Sequence, residues 1–304
     1  MAKHSNRIKK TSGDIVMDVV IYILLTLLAL ICLYPLYQVV VDSFSDPNIV
    51  MKKNGLLFKI EGFQVDAYKM VFSNKNIATG FKNSLFYIVV GTGIQFLTTV
   101  TAAYVLSKKG AMLKKPIMIF FAITMYFGGG LIPSFLLVNK MGLMDTCWAI
   151  LLPGACNVWN IIIMRTQFVN IPDGLKEVAT IDGASDVTIL FRILIPLSGA
   201  VIAVLVLFSA VGYWNMWYEP MIYLTKRSQY PIQSVLREIL IDSNAQMMAG
   251  AGKTQIKLSN TKDPAIQTLV KYANIVVCTI PILVVYPFAQ KYFVKGVMVG
   301  SLKG

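Results

Sequence analysis

The sequence predicts an all-α polytopic membrane protein with six transmembrane helices, and three observations carry that prediction. The chain of 304 residues is 56% hydrophobic and only 14% charged, where a soluble chain is about 25% charged. The deficit is local: none of the 28 Lys and Arg or 15 Asp and Glu residues falls in six windows, 19–41, 83–106, 116–139, 146–164, 193–218 and 272–290. Each window reaches the roughly 17–25 residues with which a helix crosses hydrocarbon about 30 Å thick. Stretches such as Ile21–Leu33 are apolar on every side, which excludes the period-two alternation of a membrane β-barrel.

The elements follow in chain order. Residues 1–18 form a charged tail holding Lys3, Arg7, Lys9, Lys10 and the sole histidine, His4, and the rest, 19–304, forms the six-span domain. The first window ends in Val41-Asp42-Ser43-Phe44 with no small-residue cleavage pattern, so it reads as an anchored span rather than a signal peptide. The second runs into Ser107-Lys108-Lys109-Gly110, with Lys114 and Lys115 close behind. Such a basic loop favours the inner face, and with it cytoplasmic N- and C-termini. The segments placed inside by that topology (1–18, 107–115, 165–192 and 291–304) hold half of the 28 Lys and Arg residues in the smaller share of the loop sequence. In the third and fourth windows Gly128-Gly129-Gly130, Pro133 and Pro153-Gly154 weaken or break helices at depth, as flexing points or as sites of close packing.

Several functions are excluded on chemistry. The net charge of +13 is scattered over the loops with no basic helix or aromatic-basic platform, so nucleic acid is not the expected partner. Cys32, Cys147, Cys156 and Cys278 all lie inside apolar windows without metal spacing, and behave as small hydrophobes. Ala249-Gly250-Ala251-Gly252-Lys253-Thr254 imitates a phosphate loop, but the glycine required five positions before Gly252 is Met247. No catalytic set and no metal site is expected. The spans contain no ionisable Asp, Glu, Lys or Arg, unlike most ion-coupled carriers, which argues for a polar solute moved by mechanical work supplied from elsewhere.

The loop 165–192 is the most informative segment. Pro172 and Asp173 start a helix in which Leu175, Val178 and Ala179 make a narrow apolar face, and Gly183 ends it. A second helix begins at Ser185 or Asp186 and carries Ile189, Leu190 and Ile193, with Pro196 breaking the chain at the next span. On periodicity alone an amphipathic helix lying on the membrane surface is the better fit.

Glu177-x-Ala179-x-x-Asp182-Gly183-Ala184, followed by Phe191-x-Ile193-x-x-Pro196, resembles the EAA loop of bacterial ABC importer permeases, with Val178 where the family usually has alanine. Trp214-Asn215, Glu219-Pro220, Tyr230-Pro231-Ile232-Gln233 and the tail Gln290–Gly296 extend the resemblance to the carbohydrate-uptake subfamily, of the MalG-like and YtcP/LplB-like kind. The resemblance implies a type I permease fold and a binding-protein-dependent importer, with an oligosaccharide as the expected cargo. It implies that Glu177, Ala179, Asp182, Gly183 and Ala184 form a coupling element against a separate ATPase. It further implies a second homologous permease subunit, two cytoplasmic ATPase subunits holding ATP and Mg, an extracytoplasmic solute-binding protein, and a bacterial inner-membrane location. The chain itself is then neither an enzyme nor a cofactor carrier.

Candidates for the solute path are Asn157, Asn160, Trp214, Asn215 and Tyr218. Amides offer donors and acceptors to sugar hydroxyls and aromatic rings offer stacking faces. Interhelical hydrogen bonds and an interfacial aromatic belt account for the same residues. Ile232, Val235, Leu236 and Ile239 predict one amphipathic helix in the loop 219–271, whose cations Lys226, Arg227 and Arg237 suit either acidic sugars or plain solvation. A self-sufficient channel or secondary carrier is the alternative function, and a membrane scaffold a third.

Overall fold

The computed structural model describes residues 11–53, 57–249 and 264–301. Residues 1–10 and the Gly252-Lys253-Thr254 stretch lie outside them. The helices are α1 (Ser12–Ser43), α2 (Pro47–Lys52), α3 (Asp66–Ser73), α4 (Lys75–Ser107), α5 (Lys114–Tyr126), α6 (Leu131–Lys140), α7 (Trp148–Leu151), α8 (Val158–Val169), α9 (Asp173–Ile181), α10 (Asp186–Thr188), α11 (Ile195–Leu197), α12 (Gly199–Trp214), α13 (Tyr218–Tyr223), α14 (Ile232–Ala249) and α15 (Pro264–Ser301). A π-helical turn, Ile189–Leu194, lies between α10 and α11. The described residues contain no strand.

The chain divides into two compact units, Met1–Val71 with Lys257–Val276, and Phe72–Ile256 with Val277–Gly304. In the first, Asp14 closes a capping box by accepting from the Thr11 backbone N–H at 2.9 Å, which starts α1. The apolar side chains of α1 are exposed through most of its length, as a lipid-facing helix requires. Where α1 ends, Phe44 stacks on Tyr68 and Phe63 with ring centroids 4.7 and 5.7 Å apart. Asp46 caps α2 by accepting from the Asn48 N–H, and Lys53 pairs with Glu61 at 2.8 Å.

In the second unit α4 is the central post, against which α8, α12 and α14 pack. Small residues let them approach. An added Cβ at Gly80 would stand 3.1 Å from the Ile232 Cα, and one at Gly91 would overlap the Tyr213 ring. The predicted amphipathic helix of the loop after the fifth window is α14, with Ile232, Val235 and Ile239 buried.

Three helices, Ser12–Ser43, Lys75–Ser107 and Ala265–Pro287 within α15, are each long and apolar enough to cross a membrane, and the number reaches five if two bent pairs count as single spans. The window 116–139 is one of these pairs: α5 and α6 meet at 117°. The bend falls on Gly128-Gly129-Gly130, where Gly130 adopts φ +80° to cap α6, a conformation open to glycine without strain. The other pair bends by 87° between Asp186–Leu197 and Gly199–Trp214. That turn centres on Ser198 rather than on Pro196, because the preceding π-helical turn, with Ile195 N–H donating to Leu190 O, widens the helix where a proline ring would clash with an α-helical carbonyl. The window 146–164 is not one helix. α7 stops before Pro153, and Asn157 restarts the chain as α8 by accepting from the Asn160 N–H at 3.1 Å. The six expected crossing helices therefore appear as three continuous ones, two bent pairs and one divided segment.

Candidate functional site

The loop 165–192 folds as two short helices around a glycine stop. At the end of α9, Gly183 N–H donates to Thr180 O at 3.1 Å and Ala184 N–H donates back to Ala179 O at 2.9 Å, with Gly183 at φ +80°. This is a Schellman cap, which satisfies carbonyls a helix end leaves open and requires a left-handed residue at the turn. The cap's usual apolar contact is present too: Ala179 is buried, and Ala184 packs on the same cluster. Three residues of the motif, Ala179, Gly183 and Ala184, are thus the parts of one helix stop.

The stop is seated on the ends of α4 and α8. Ala179, Ile171, Ile189, Leu190 and Leu194 join Val100, Ala103, Tyr104, Met164 and Phe168 in one buried cluster. Around its edge runs a ring of polar ties. Lys109 pairs with Asp173 at 2.6 Å and Lys108 with Asp186 at 2.6 Å. Tyr104 donates to Asp186 at 2.8 Å, Lys176 to Phe168 O at 3.0 Å, and Arg165 to Leu106 O at 3.1 Å. The Lys109 hydrogen bond holds the Asp173 carboxyl below the usual carboxylate range, and bonds from Lys108 and Tyr104 do the same for Asp186. Asp173 in turn raises Lys109. These ties were missed as site residues: Lys108 and Lys109 signalled orientation, and Asp186 signalled only a helix start.

Of the expected apolar face, Ala179 alone turns inward. Leu175, Val178 and Ile181 are exposed, Ile181 at 85%, as are Glu177, Asp182 and Gly183. A narrow face that sequence periodicity assigns to one side is therefore split, the small alanine seating the helix and the larger side chains projecting from it. Val178, the departure from the usual alanine, is on the projecting side, where a larger residue meets no steric limit.

The second feature is an open cleft of about 910 Å³ between α8, α12 and the chain around α13, a size within the usual range for ligand sites. Asn157, Asn160, Asn215 and Tyr218 line it. Asn160 also donates to Ser209 at 3.3 Å, tying α8 to α12, and Asn215 donates back to Val211 O at 3.0 Å, so both carry a structural bond as well. Trp214 is placed elsewhere: it is buried, with its ring 6.0 Å from that of Phe81 on α4, and does not line the cleft. Helical spacing explains this, since Trp214 and Tyr218 are four residues apart in sequence but the helix stops at Asn215 between them. Sequence reasoning missed Gln95, Trp159 and Glu219 as lining residues. Gln95 donates to Gly154 O at 2.9 Å, a bond made possible by the break at Pro153-Gly154 that frees this carbonyl. Asp145, whose N–H donates to the O of the lining residue Tyr223 at 2.9 Å, accepts from both the backbone and the hydroxyl of Thr225, bonds that hold its carboxyl below the usual range.

Among the described residues no group of His, Cys, Asp and Glu side chains could hold a metal ion. The arrangement presents a rigidly seated projecting helix and a cleft walled by amides, hydroxyls and aromatic rings.

Comparison with known proteins identifies the family. The family profile described as "Binding-protein-dependent transport system inner membrane component" matches residues 97–299. The chain is 41% identical over 287 residues to the Bacillus subtilis (strain 168) "Polygalacturonan/rhamnogalacturonan transport system permease protein YtcP", covering 94% of this chain and 98% of that one. It is 39% identical over 297 residues to "Protein LplC" of the same organism, covering 97% of each. A solved bacterial ABC transporter involved in the import of the acidic polysaccharide alginate contains a chain that superposes with a TM-score of 0.83 at 33% identity, covering 94% of this chain and 100% of that one. The chain belongs to the family of binding-protein-dependent transport system inner membrane components, and is a multi-pass ABC importer permease.

Proposed function

We propose that this permease moves oligosaccharides by coupling α9 to a separate cytoplasmic ATPase. In this reading α9 is the knob that an ATPase subunit grips, with Glu177 and Asp182 as its polar contacts and Leu175, Val178 and Ile181 as its apolar ones. Ala179, Gly183 and Ala184 keep the knob stiff. A machine that closes on nucleotide and opens after hydrolysis moves membrane helices only through an element fixed at both ends. The observation that carries this reading is the division of α9 into a buried side and an exposed apolar side: Ala179 is 9% exposed, whereas Val178 is 60% exposed. An apolar surface of this kind marks a protein partner more often than bare solvent.

The rest of the assembly follows from the family. A second permease subunit completes the path, two ATPase subunits hold ATP and Mg, and an extracytoplasmic binding protein delivers the cargo. The N- and C-termini and the 165–192 loop face the cytoplasm. The cleft holding Asn157, Asn160, Asn215 and Tyr218 is this subunit's share of the solute path. The cargo class is supported by the names of relatives, one a polygalacturonan and rhamnogalacturonan transport permease, one a transporter of the acidic polysaccharide alginate.

The test is reconstitution of the chain with candidate partner subunits in proteoliposomes, measuring ATP hydrolysis stimulated by the binding protein alongside saccharide uptake. The expected result is uptake that needs both ATP and the ATPase, and that is lost in Glu177→Lys while the assembled protein still folds. Uptake by this chain without any ATPase contradicts the reading and supports the channel or secondary-carrier alternative.

A further inference from the structure

Glu219 is the one charged residue among those lining the cleft, and another lining residue, Trp217, carries a cation stacked on its ring. Arg237 of α14 lays its guanidinium over the ring of Trp217, 3.5 Å from the centroid, and Trp217 lines the cleft. The stack is braced, because Ser234 on the same helix donates to Trp217 O at 3.1 Å. Ile232, Val235 and Ile239 are buried on the other side of α14, which sets the helix rotation that aims Arg237 at the tryptophan. The neighbouring Glu238 pairs with Arg227 at 3.4 Å.

A guanidinium stacked on a ring uses its face and leaves its in-plane N–H donors open. Those donors form a fork that matches a carboxylate in two parallel hydrogen bonds. Glu219, an acceptor only, suits the hydroxyl donors of a sugar and repels its carboxylate. The two charges therefore orient an acidic sugar: carboxylate toward Arg237 past Trp217, hydroxyl edge toward Glu219 and the amides of Asn157 and Asn215.

We infer that Arg237, held flat on Trp217, is a specificity residue that binds the carboxylate of a uronic-acid-containing oligosaccharide at the edge of the cleft. The inference rests on the importer reading above and names the chemical class of its cargo.

The experiment uses the full complex in proteoliposomes, supplied with trigalacturonate or with a neutral trisaccharide, and reads both uptake and binding-protein-stimulated ATP hydrolysis. Charge-assisted bonds of this kind correspond to a factor of about ten or more. Arg237→Gln is expected to lower trigalacturonate uptake at least about tenfold while stimulated hydrolysis stays within about twofold of the original. Arg237→Lys, which keeps the charge but loses the fork, recovers only part of the uptake. Unchanged uronate uptake in Arg237→Gln overturns the inference, and so does a parallel loss of hydrolysis, which would place Arg237 on the binding-protein contact. A wild-type complex that hydrolyses ATP and carries only the neutral sugar overturns it while leaving the importer reading intact. A wild-type complex with neither stimulated hydrolysis nor uptake of any saccharide defeats the importer reading itself.

Discussion

Gly183 offers the cleanest separation of backbone geometry from side-chain contact. It sits at φ +80°, and a Cβ added there would meet no heavy atom within 4 Å. A substitution therefore removes nothing and collides with nothing; its whole cost is the left-handed backbone, about 1–2 kcal/mol for an ordinary L-residue. That corresponds to a factor of roughly 5–30 in the population of the capped helix end. Asparagine visits this region more readily than alanine, and a β-branched residue least readily. The account predicts that uptake per ATP hydrolysed in the reconstituted complex declines in the order Gly183, Gly183→Asn, Gly183→Ala, Gly183→Val. Global unfolding of the purified protein shifts by no more than the same small cost, because the cap closes one short helix. The reasoning is refuted if Gly183→Ala couples as well as the wild type, or better than Gly183→Asn, since either result means the left-handed turn is not what holds the knob.

Other expectations follow from the same seating. Phe168 is 0% exposed in the cluster beneath α9, so Phe168→Ala is expected to cost about 3–5 kcal/mol and to lower the thermal midpoint of the detergent-purified protein more than any variant of the exposed Val178. The Lys108–Asp186 and Lys109–Asp173 pairs lie at the exposed edge, where such pairs contribute little to stability; Lys108→Asp should reduce coupled uptake with almost no change in thermal midpoint, and the exchanged pair Lys108→Asp with Asp186→Lys should restore part of it. Both aspartates have lowered pKa values, so their contribution is complete above the ordinary aspartate range of about 4 and is lost as pH falls below it; hydrogen exchange of α9 amides should rise there and stay flat between about pH 5 and 8. At the core of the bundle, Gly91→Ala places a methyl into the Tyr213 ring and should destabilise by about 1–3 kcal/mol, a loss that Tyr213→Leu in the same chain should relieve, as measured by thermal unfolding of the double variant.

Much of the membrane architecture is legible in charge placement, because a charge facing lipid is costly wherever no partner or water-filled cavity compensates it, so long stretches without Asp, Glu, Lys or Arg mark the spans. The windows 19–41, 83–106 and 272–290 lie within α1, α4 and α15 for that reason. Breaks are legible where a residue type forces them, as Gly128-Gly129-Gly130 does between α5 and α6. The division of 146–164 is only half legible: Pro153-Gly154 marks where a helix stops, but where it restarts depends on Asn157 turning its side chain onto the Asn160 N–H, a choice that composition does not reveal. In the loop, Gly183 foretells the stop, whereas the part Ala179 and Ala184 play in the cap shows only in the folded turn. The outward turn of Leu175 and Val178 does not follow from periodicity, since the pattern tells which residues share a face and not whether that face meets this chain or another. Trp214 shows the same limit. An aromatic residue at a span end suits a path, a belt or a core, and the approach of α4 through Phe81 places it in the last.

The central claim is that α9 is the surface through which an ATPase moves this permease. The most direct measurement is disulfide cross-linking of Val178→Cys, in a background with the four native cysteines at positions 32, 147, 156 and 278 replaced, to cysteines introduced along the partner ATPase in assembled proteoliposomes. The account predicts a cross-link to the ATPase whose yield changes when ATP is bound, together with protection of the same cysteine, in intact cells expressing the complex, from a membrane-impermeant thiol reagent added outside. Labelling of that cysteine from outside, or an assembled and active complex in which no ATPase position cross-links to it, would contradict the account.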